Sequence, residues 1–310
     1  MRVFVAGATG VIGRRLIPML LAEGHEVTGM TRTEAKLERL RAAGAEAVCA
    51  DALDADAVRA SVAAARPDAV IHQLTALPAR IDPRRMRRDF ALNDRLRSEG
   101  THILVDAARA AGPGRILAQS IAFAYAPGPA GTVHAEADPL FVDAPEPFRR
   151  SACALAELER TVTAAGGLAL RYGYFYGPGS AIGGHGSIAR DVVSRRFPIV
   201  GRGDGVWSFV HVDDAARATV AALTRGTPGT YNVVDDEPAP VREWLPALAS
   251  ALGAKPPRRV PALIARPLAG SYGVATMTRA QGASNDLAAR ELGWRPHHPS
   301  WRAGFRSALD

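Results

Sequence analysis

Lysine is almost missing from this chain. Lys36 and Lys255 are the only two, although lysine and arginine together number 38. The basic balance, a net charge of +7 and a pI near 10.0, is therefore arginine's work. Such a charge invites a nucleic-acid reading, but the basic residues are scattered, with one dense run at Arg84 to Arg88. Aromatics make up 6% and form no stacking pattern around that run, so no nucleic-acid partner is expected. Cysteine is equally scarce. Cys49 and Cys153 lie far apart, which excludes a disulfide framework and suggests reduced thiols in a cytoplasmic protein. No apolar run reaches the roughly 18 residues that span a bilayer, and no signal peptide is expected because a structural element begins at Met1. His297 and His298 are flanked by prolines and near no cysteine, so no metal site is expected there. What remains, 310 residues at 47% hydrophobic and 22% charged, is ordinary for one large or two modest globular domains.

The opening MRVFVAGATGVIG is where the chain becomes specific. Val3, Phe4 and Val5 are an apolar, β-forming run that stops at Gly7. Gly7, Gly10 and Gly13 then space out G-x-x-G-x-x-G ahead of a helical pattern through Ile17, Leu20 and Leu21. A strand that turns sharply into a helix leaves free N–H groups and a favourable dipole for a pyrophosphate. Gly7 permits the turn, Gly10 the approach of phosphate and Gly13 close packing of helix on strand. The expected dinucleotide contacts here are Gly7, Thr9, Gly10, Val11, Ile12 and Gly13. The second strand, Glu26 to Met30, ends at Thr31 and Arg32. A carboxylate at that end would select NAD. A guanidinium in its absence favours the 2′-phosphate of NADP(H) over NAD(H).

Further on, Ala45 to Ala50 reads as a third strand, with Asp51 and Ala52 placed for the adenine. A helix from about Asp54 to Ala65 precedes a fourth strand, Ala69 to Gln73, whose exit places Leu74, Thr75 and Ala76 beside the cofactor. Pro83 opens a long helical stretch through Ala111 containing Asn93, another expected cofactor contact. Arg115 to Gln119 is a fifth strand ending at Ser120. This alternation specifies an α/β fold, a Rossmann doubly wound parallel sheet. A proline- and glycine-rich loop, Ala126 to Pro147, reads as an active-site wall. Then come a helix from Ser151 to Ala165, a strand from Leu168 to Arg171, and Tyr172 against the cofactor. Asp213 or Asp214 looks like the N-cap of a helix from Ala215 to Leu223. The expected division is a cofactor domain over 1–172, with a return near 205–235, and a smaller C-terminal substrate-binding lobe over 173–310.

With GATGVIG, VIHQLTA, Asn93 with Gly100-Thr101, RYGYFYGPG, GRGDGVWSFVHVDDAARA and ELGWRP in hand, the chain resembles the extended short-chain dehydrogenase/reductases, the NAD-dependent epimerase/dehydratases. The resemblance covers almost the whole chain and implies a nicotinamide near the fifth and sixth strands. It also implies a tyrosine and a lysine four residues apart, the lysine lowering the tyrosine's pKa for proton transfer. That pair is absent. Phe148 and Ala152 occupy the two places in one register, Ser151 and Leu155 in the other. Neither lysine has a tyrosine four residues before it.

Ser120 is a candidate to orient a substrate oxygen. Tyr125, Tyr174 and His185 are the candidates for a replacement proton donor. The arginine that grips a diphosphate in many nucleotide-sugar relatives is replaced by Trp207. Substrate contacts are expected from Tyr174, His185, Arg202 and Trp207, with a flatter, less anionic ligand. Three functions fit: an NADP(H)-dependent oxidoreductase or epimerase acting on a small organic molecule; a non-catalytic NADP-binding sensor or partner protein; and a non-redox isomerase, cyclase or lyase on the same scaffold. The substrate-wall architecture from Tyr174 to Gly186 favours the first. Family resemblance also makes a homodimer a candidate, through the long helices after the fourth and fifth strands.

Overall fold

Val3, Phe4, Val5 and Ala6 are all buried, as a strand covered on both faces requires, and they form β1 (Arg2–Ala6) in the middle of a seven-stranded sheet. The computed structural model describes residues 1–307 other than 79, 83, 84, 113 and 130, and the Leu268 backbone without its side chain. The other sheet strands are β2 (Glu26–Thr31), β3 (Glu46–Cys49), β4 (Ala69–His72), β5 (Arg115–Ile121), β6 (Leu168–Tyr172) and β7 (Gly229–Val233). Their order is β7-β6-β5-β4-β1-β2-β3, and every neighbouring pair is parallel. The chain runs outward from β1 to β3 and then crosses to the other side at β4. That reversal opens a crevice between β1 and β4, where sheets of this kind bind ligands.

The helices that matter are α1 (Gly13–Ala22), α2 (Ala55–Ala65), α3 (Ala91–Arg97), α4 (Glu99–Ala111), α5 (Phe148–Ala164), α6 (Val212–Ala222) and α7 (Ala262–Thr278). Because strand side chains alternate between faces, Val3, Val5 and Ile71 share one core with Leu16 and Leu20 of α1 and Ala215 and Val220 of α6. Phe4, Ala6 and Val70 share the other with Val58 and Val62 of α2, Leu104 and Val105 of α4, and Leu158 of α5. A further core gathers Tyr176, Ile199, Trp207, Phe209, Trp244, Leu248, Trp301 and Phe305. It is built from sequence beyond β6, while α6 and β7 return to the main sheet.

Two local expectations are corrected. The helical stretch before Ala111 is three pieces, Met86–Asp89, α3 and α4. It breaks between α3 and α4 at Ser98, whose hydroxyl donates to the Asp94 carbonyl at 3.0 Å. Pro83 and Arg84, the expected start of that stretch and of the dense basic run, lie outside the described residues. The N-cap of α6 is His211, which takes the Asp213 N–H on Nδ1 at 3.2 Å, rather than either aspartate. Asp214 therefore falls inside the first turn, where it is fully buried and accepts the N–H groups of His297 and His298 at 2.8 and 2.9 Å.

Candidate functional site

Gly7 has a φ of +87°, and a Cβ there would lie 2.4 Å from the Gln73 carbonyl oxygen. Backbone touches backbone at the crevice, and only glycine supplies both the conformation and the space. Gly13 is held just as closely, with a Cβ placed 2.4 Å from the Ala8 carbonyl oxygen. The Gly10 N–H closes the turn onto the Gly7 carbonyl at 3.0 Å. The amides of Val11, Ile12 and Gly13, at the start of α1, meet no acceptor among the described residues. Free amides at a helix start are a ready anion site. Across the crevice Leu74, Thr75 and Ala76 leave β4. His72 Nδ1 takes the Leu74 N–H and Asn93 Oδ1 the Ala76 N–H, both at 3.2 Å. The Asn93 side-chain nitrogen is left buried without a partner, a donor that a bound ligand would satisfy. The crevice thus fits a dinucleotide on its own geometry.

At the β2 end, Thr31 is buried and uses its hydroxyl to accept the Thr33 N–H at 3.4 Å. Arg32 is exposed. Beside them a cavity of about 260 Å³ is lined by Thr9, Arg14, Ile17, Lys36, Arg39 and Leu40 among others, three cations with no carboxylate in the lining. Sequence reasoning named Arg32 alone. The other cations carried a weak signal: Arg14 directly follows Gly13, and Lys36 is one of only two lysines. Ala52 is buried next to Asp51, which folds back to accept the Leu53 N–H at 3.0 Å.

Three of the four places expected to hold a proton-transfer pair are apolar. Phe148, Ala152 and Leu155 are buried with Ile121, Met86 and Phe90 in one cluster, and Tyr272 of α7 stacks on Phe148 at 3.8 Å. Ser151, the remaining position, is also buried.

Three expected site residues turn inward instead. Ser120 has no exposed surface, and its hydroxyl donates to Glu159 Oε1 at 2.6 Å. Glu159 also receives a two-point grip from Arg171, Nε to Oε1 at 2.8 Å and Nη2 to Oε2 at 2.6 Å. Arg171 Nη1 reaches the Tyr125 hydroxyl at 2.8 Å, and that hydroxyl donates to Asn232 Oδ1 at 2.6 Å. Ser120 and Tyr125 are thus parts of one buried hydrogen-bonded network with Glu159, Arg171 and Asn232. Burial pushes the Tyr125 phenol up to about 12. Tyr172 is likewise fully buried, its hydroxyl held by Gln73 Nε2 at 3.1 Å and Thr219 at 2.7 Å.

Tyr174 and Trp207 do come together. Phe123, Tyr174 and Trp207 form a stacked row, with ring centroids 4.0 and 3.9 Å apart and planes within 15°. The Trp207 indole N–H is spent on the Thr276 carbonyl at 3.1 Å, and burial raises the Tyr174 phenol well above its ordinary value. His185 is exposed on its turn, where its carbonyl accepts from Arg190 at 2.6 Å. Arg202 points to solvent and pairs with Asp204 at 3.1 Å. Neither contributes a ring or charge to the row.

One cluster was not foreseen. His298 stacks on His211 at 4.0 Å beside Asp214, and the three offer ligand atoms within 4.8 Å of one another. Arg217 Nη2 already sits 2.5 Å from Asp214, so a guanidinium holds the charge that a metal ion would claim.

A model of the NAD dependent epimerase/dehydratase family matches residues 3–234. A 3-diazoavenalumate denitrifying reductase from a Streptomyces species is 51% identical over 315 residues, covering 98% of this chain and 99% of the relative. Among solved structures, the NAD complex of the Thermus thermophilus UDP-glucose 4-epimerase superposes with a TM-score of 0.77 at 26% identity, covering 99% and 97% of the two chains. A human epimerase family protein with NADPH shares the fold, with a TM-score of 0.75 at 20% identity over 99% of each chain.

Proposed function

The chain belongs to the NAD dependent epimerase/dehydratase family, and from that premise we propose that it is an NADP(H)-dependent reductase. Its substrate would be a small planar molecule, reduced by replacement of a diazo nitrogen pair with hydride. One observation carries the reading: the positions of the family's proton-transfer pair lie in an apolar cluster of Phe148, Ala152 and Leu155, beside a row of stacked rings. The denitrifying reductase at 51% identity supplies the substrate class.

A reduced nicotinamide, when bound, supplies hydride. In the diazonium form of such a substrate the C–N bond breaks, N2 leaves with the bonding pair, and hydride forms the new C–H bond. Charge and atoms balance with no proton from the protein. The residues then need only to hold the dinucleotide, seat a flat ligand and keep water away. Gly7 to Gly13 serve the first task, with Arg14, Arg32, Lys36 and Arg39 around the 2′-phosphate. Tyr174 and Trp207 serve the second, in a lobe that we assign to substrate, residues 173–310. The apolar positions on α5 serve the third. We extend the proposal to a cytoplasmic homodimer built on the outer faces of α4 and α5. Among the described residues no helix is long and apolar enough to cross a membrane.

The test is isotopic. Purified protein is incubated with 3-diazoavenalumate and NADPH deuterated at the transferable position, and the product is examined by mass spectrometry and NMR. Deuterium should appear at the carbon that lost N2, with one NADPH consumed per product. Label arriving only from deuterated water, or no turnover beside demonstrable NADPH binding, would defeat the proposal, and the latter result would favour a sensor.

A further inference from the structure

Arg97 ends α3, and only 5% of it is exposed. Its guanidinium makes no hydrogen bond or ion pair with any described residue. Burial draws it down to about 10, opposed by Asp94 and by Tyr272. It is therefore still a cation at neutral pH. Burying a charge without an ion pair is costly, and Asp94, one turn earlier on the same helix, eases that cost from a distance without forming one, its Oδ1 buried and unbonded. The other arginine buried to this degree among the described residues is paired: Arg171 has Glu159.

The surroundings locate this charge. Tyr272, which feels Arg97, stacks on Phe148 at the vacated proton-transfer position. Tyr272 is also close enough to Tyr174 to raise its phenol further, and Tyr174 is the middle ring of the row with Phe123 and Trp207. A buried cation with unspent donors thus lies within electrostatic reach of Tyr272, which neighbours the aromatic row in turn.

We propose that Arg97 is a specificity-determining residue that receives an anionic group, a carboxylate, of a flat conjugated substrate lying along Tyr272, Tyr174 and Trp207. The planar fork of a guanidinium matches two carboxylate oxygens at once, and a carboxylate arriving there would supply the missing counter-charge. This rests on a slot beside these rings being the substrate site, as the proposed function has it, and is independent of the diazo chemistry. It also adjusts the expectation of a ligand of low charge: the diphosphate grip is absent, and a single negative charge has its own receptor.

Two probes, cinnamate and its neutral amide cinnamamide, test it by calorimetry on the full chain saturated with NADP+. Wild-type protein should bind cinnamate at least tenfold more tightly than cinnamamide. Arg97→Gln should lose that preference while keeping NADPH affinity and melting temperature near wild type, and Arg97→Lys should restore part of it. Equal binding of the two probes to wild type overturns the role of Arg97 even if the glutamine variant fails to fold. A variant that loses NADPH instead of cinnamate overturns it too, assigning Arg97 to the cofactor. If neither probe binds the wild type, the slot itself is misread and the substrate proposal fails with it.

Discussion

Replacing Glu159 with alanine gives the sharpest test of the buried hydrogen-bonded network. Glu159 and Arg171 are 6% and 4% exposed, so the pair is out of water. Removing the carboxylate leaves the guanidinium with the Tyr125 hydroxyl at 2.8 Å and the Glu136 carbonyl at 3.1 Å, neither of them charged. Breaking a buried pair from one side costs about 3–5 kcal/mol. At about 2 °C per kcal/mol for a chain of this size, the melting temperature should fall by about 6–10 °C. Ser120→Ala is the contrasting case. It takes one donor from Glu159 Oε1, which keeps Arg171 Nε at 2.8 Å, and should cost about 1–2 kcal/mol. Turnover by the folded fraction should change little. The assay is calorimetric melting paired with steady-state rates. A Glu159→Ala protein melting within about 2 °C of wild type would refute the energetic reasoning. A Ser120→Ala protein that melts normally but loses more than tenfold in turnover would return Ser120 to the active site.

The cation-lined cavity predicts that NADPH binds at least tenfold more tightly than NADH. Arg32→Ala and Arg39→Ala should each cost about tenfold in NADPH affinity, one charge-assisted bond apiece, and leave NADH unchanged in fluorescence titrations; equal affinity of wild type for the two cofactors would end the NADP assignment. Acid should weaken the fold through two buried histidines. Burial holds both His72 and His211 down at about 4, against an ordinary 6.5, so between those values the unfolded chain binds more protons than the folded one. Their contribution is complete above pH 6.5 and is lost as pH falls toward 4, at up to about 1.4 kcal/mol per pH unit for each. Melting temperatures that stay flat over that window would contradict it, and His72→Gln should reduce the slope.

The fold was legible because its determinants are local. The run Val3 to Ala6, the glycine spacing and the strand-helix alternation each follow from short-range backbone chemistry, and six of the seven sheet strands lie within a residue or two of where the pattern placed them, the edge strand Gly229–Val233 being unforeseen. The glycine turn was legible for the same reason, since the φ of +87° at Gly7 is a demand of its own turn, although the close approach of the Gln73 carbonyl was not. The inward turn of Ser120, Tyr125 and Tyr172 was not legible. A hydroxyl at a strand end looks alike whether it faces a ligand or a buried acid, and the deciding partners, Glu159, Arg171, Asn232 and Thr219, come from other segments. Arg97 was hidden similarly. An arginine in a helix rich in arginine reads as solvated surface until packing shows it buried.

Loss of the tyrosine-lysine pair bears on which reaction the pocket can run. General acid-base catalysis is worth about 10²–10⁴-fold, so a carbonyl reduction or epimerisation deprived of it would need a substitute with a pKa drawn toward neutrality. The tyrosines near the crevice move the other way: burial takes Tyr125 and Tyr172 up to about 12 and raises Tyr174 and Tyr272 as well. Of the two lysines, Lys36 lines the cavity beside Thr9 and Arg39, and Lys255 is exposed. A site tuned this way penalises reactions that create an alkoxide or enolate. Its apolar, ring-lined walls exact no such penalty from a substitution in which hydride enters and a neutral gas leaves. On the proposed reading, the same residues that argue against the family's usual proton chemistry favour, among hydride reactions, one whose leaving group carries no proton demand.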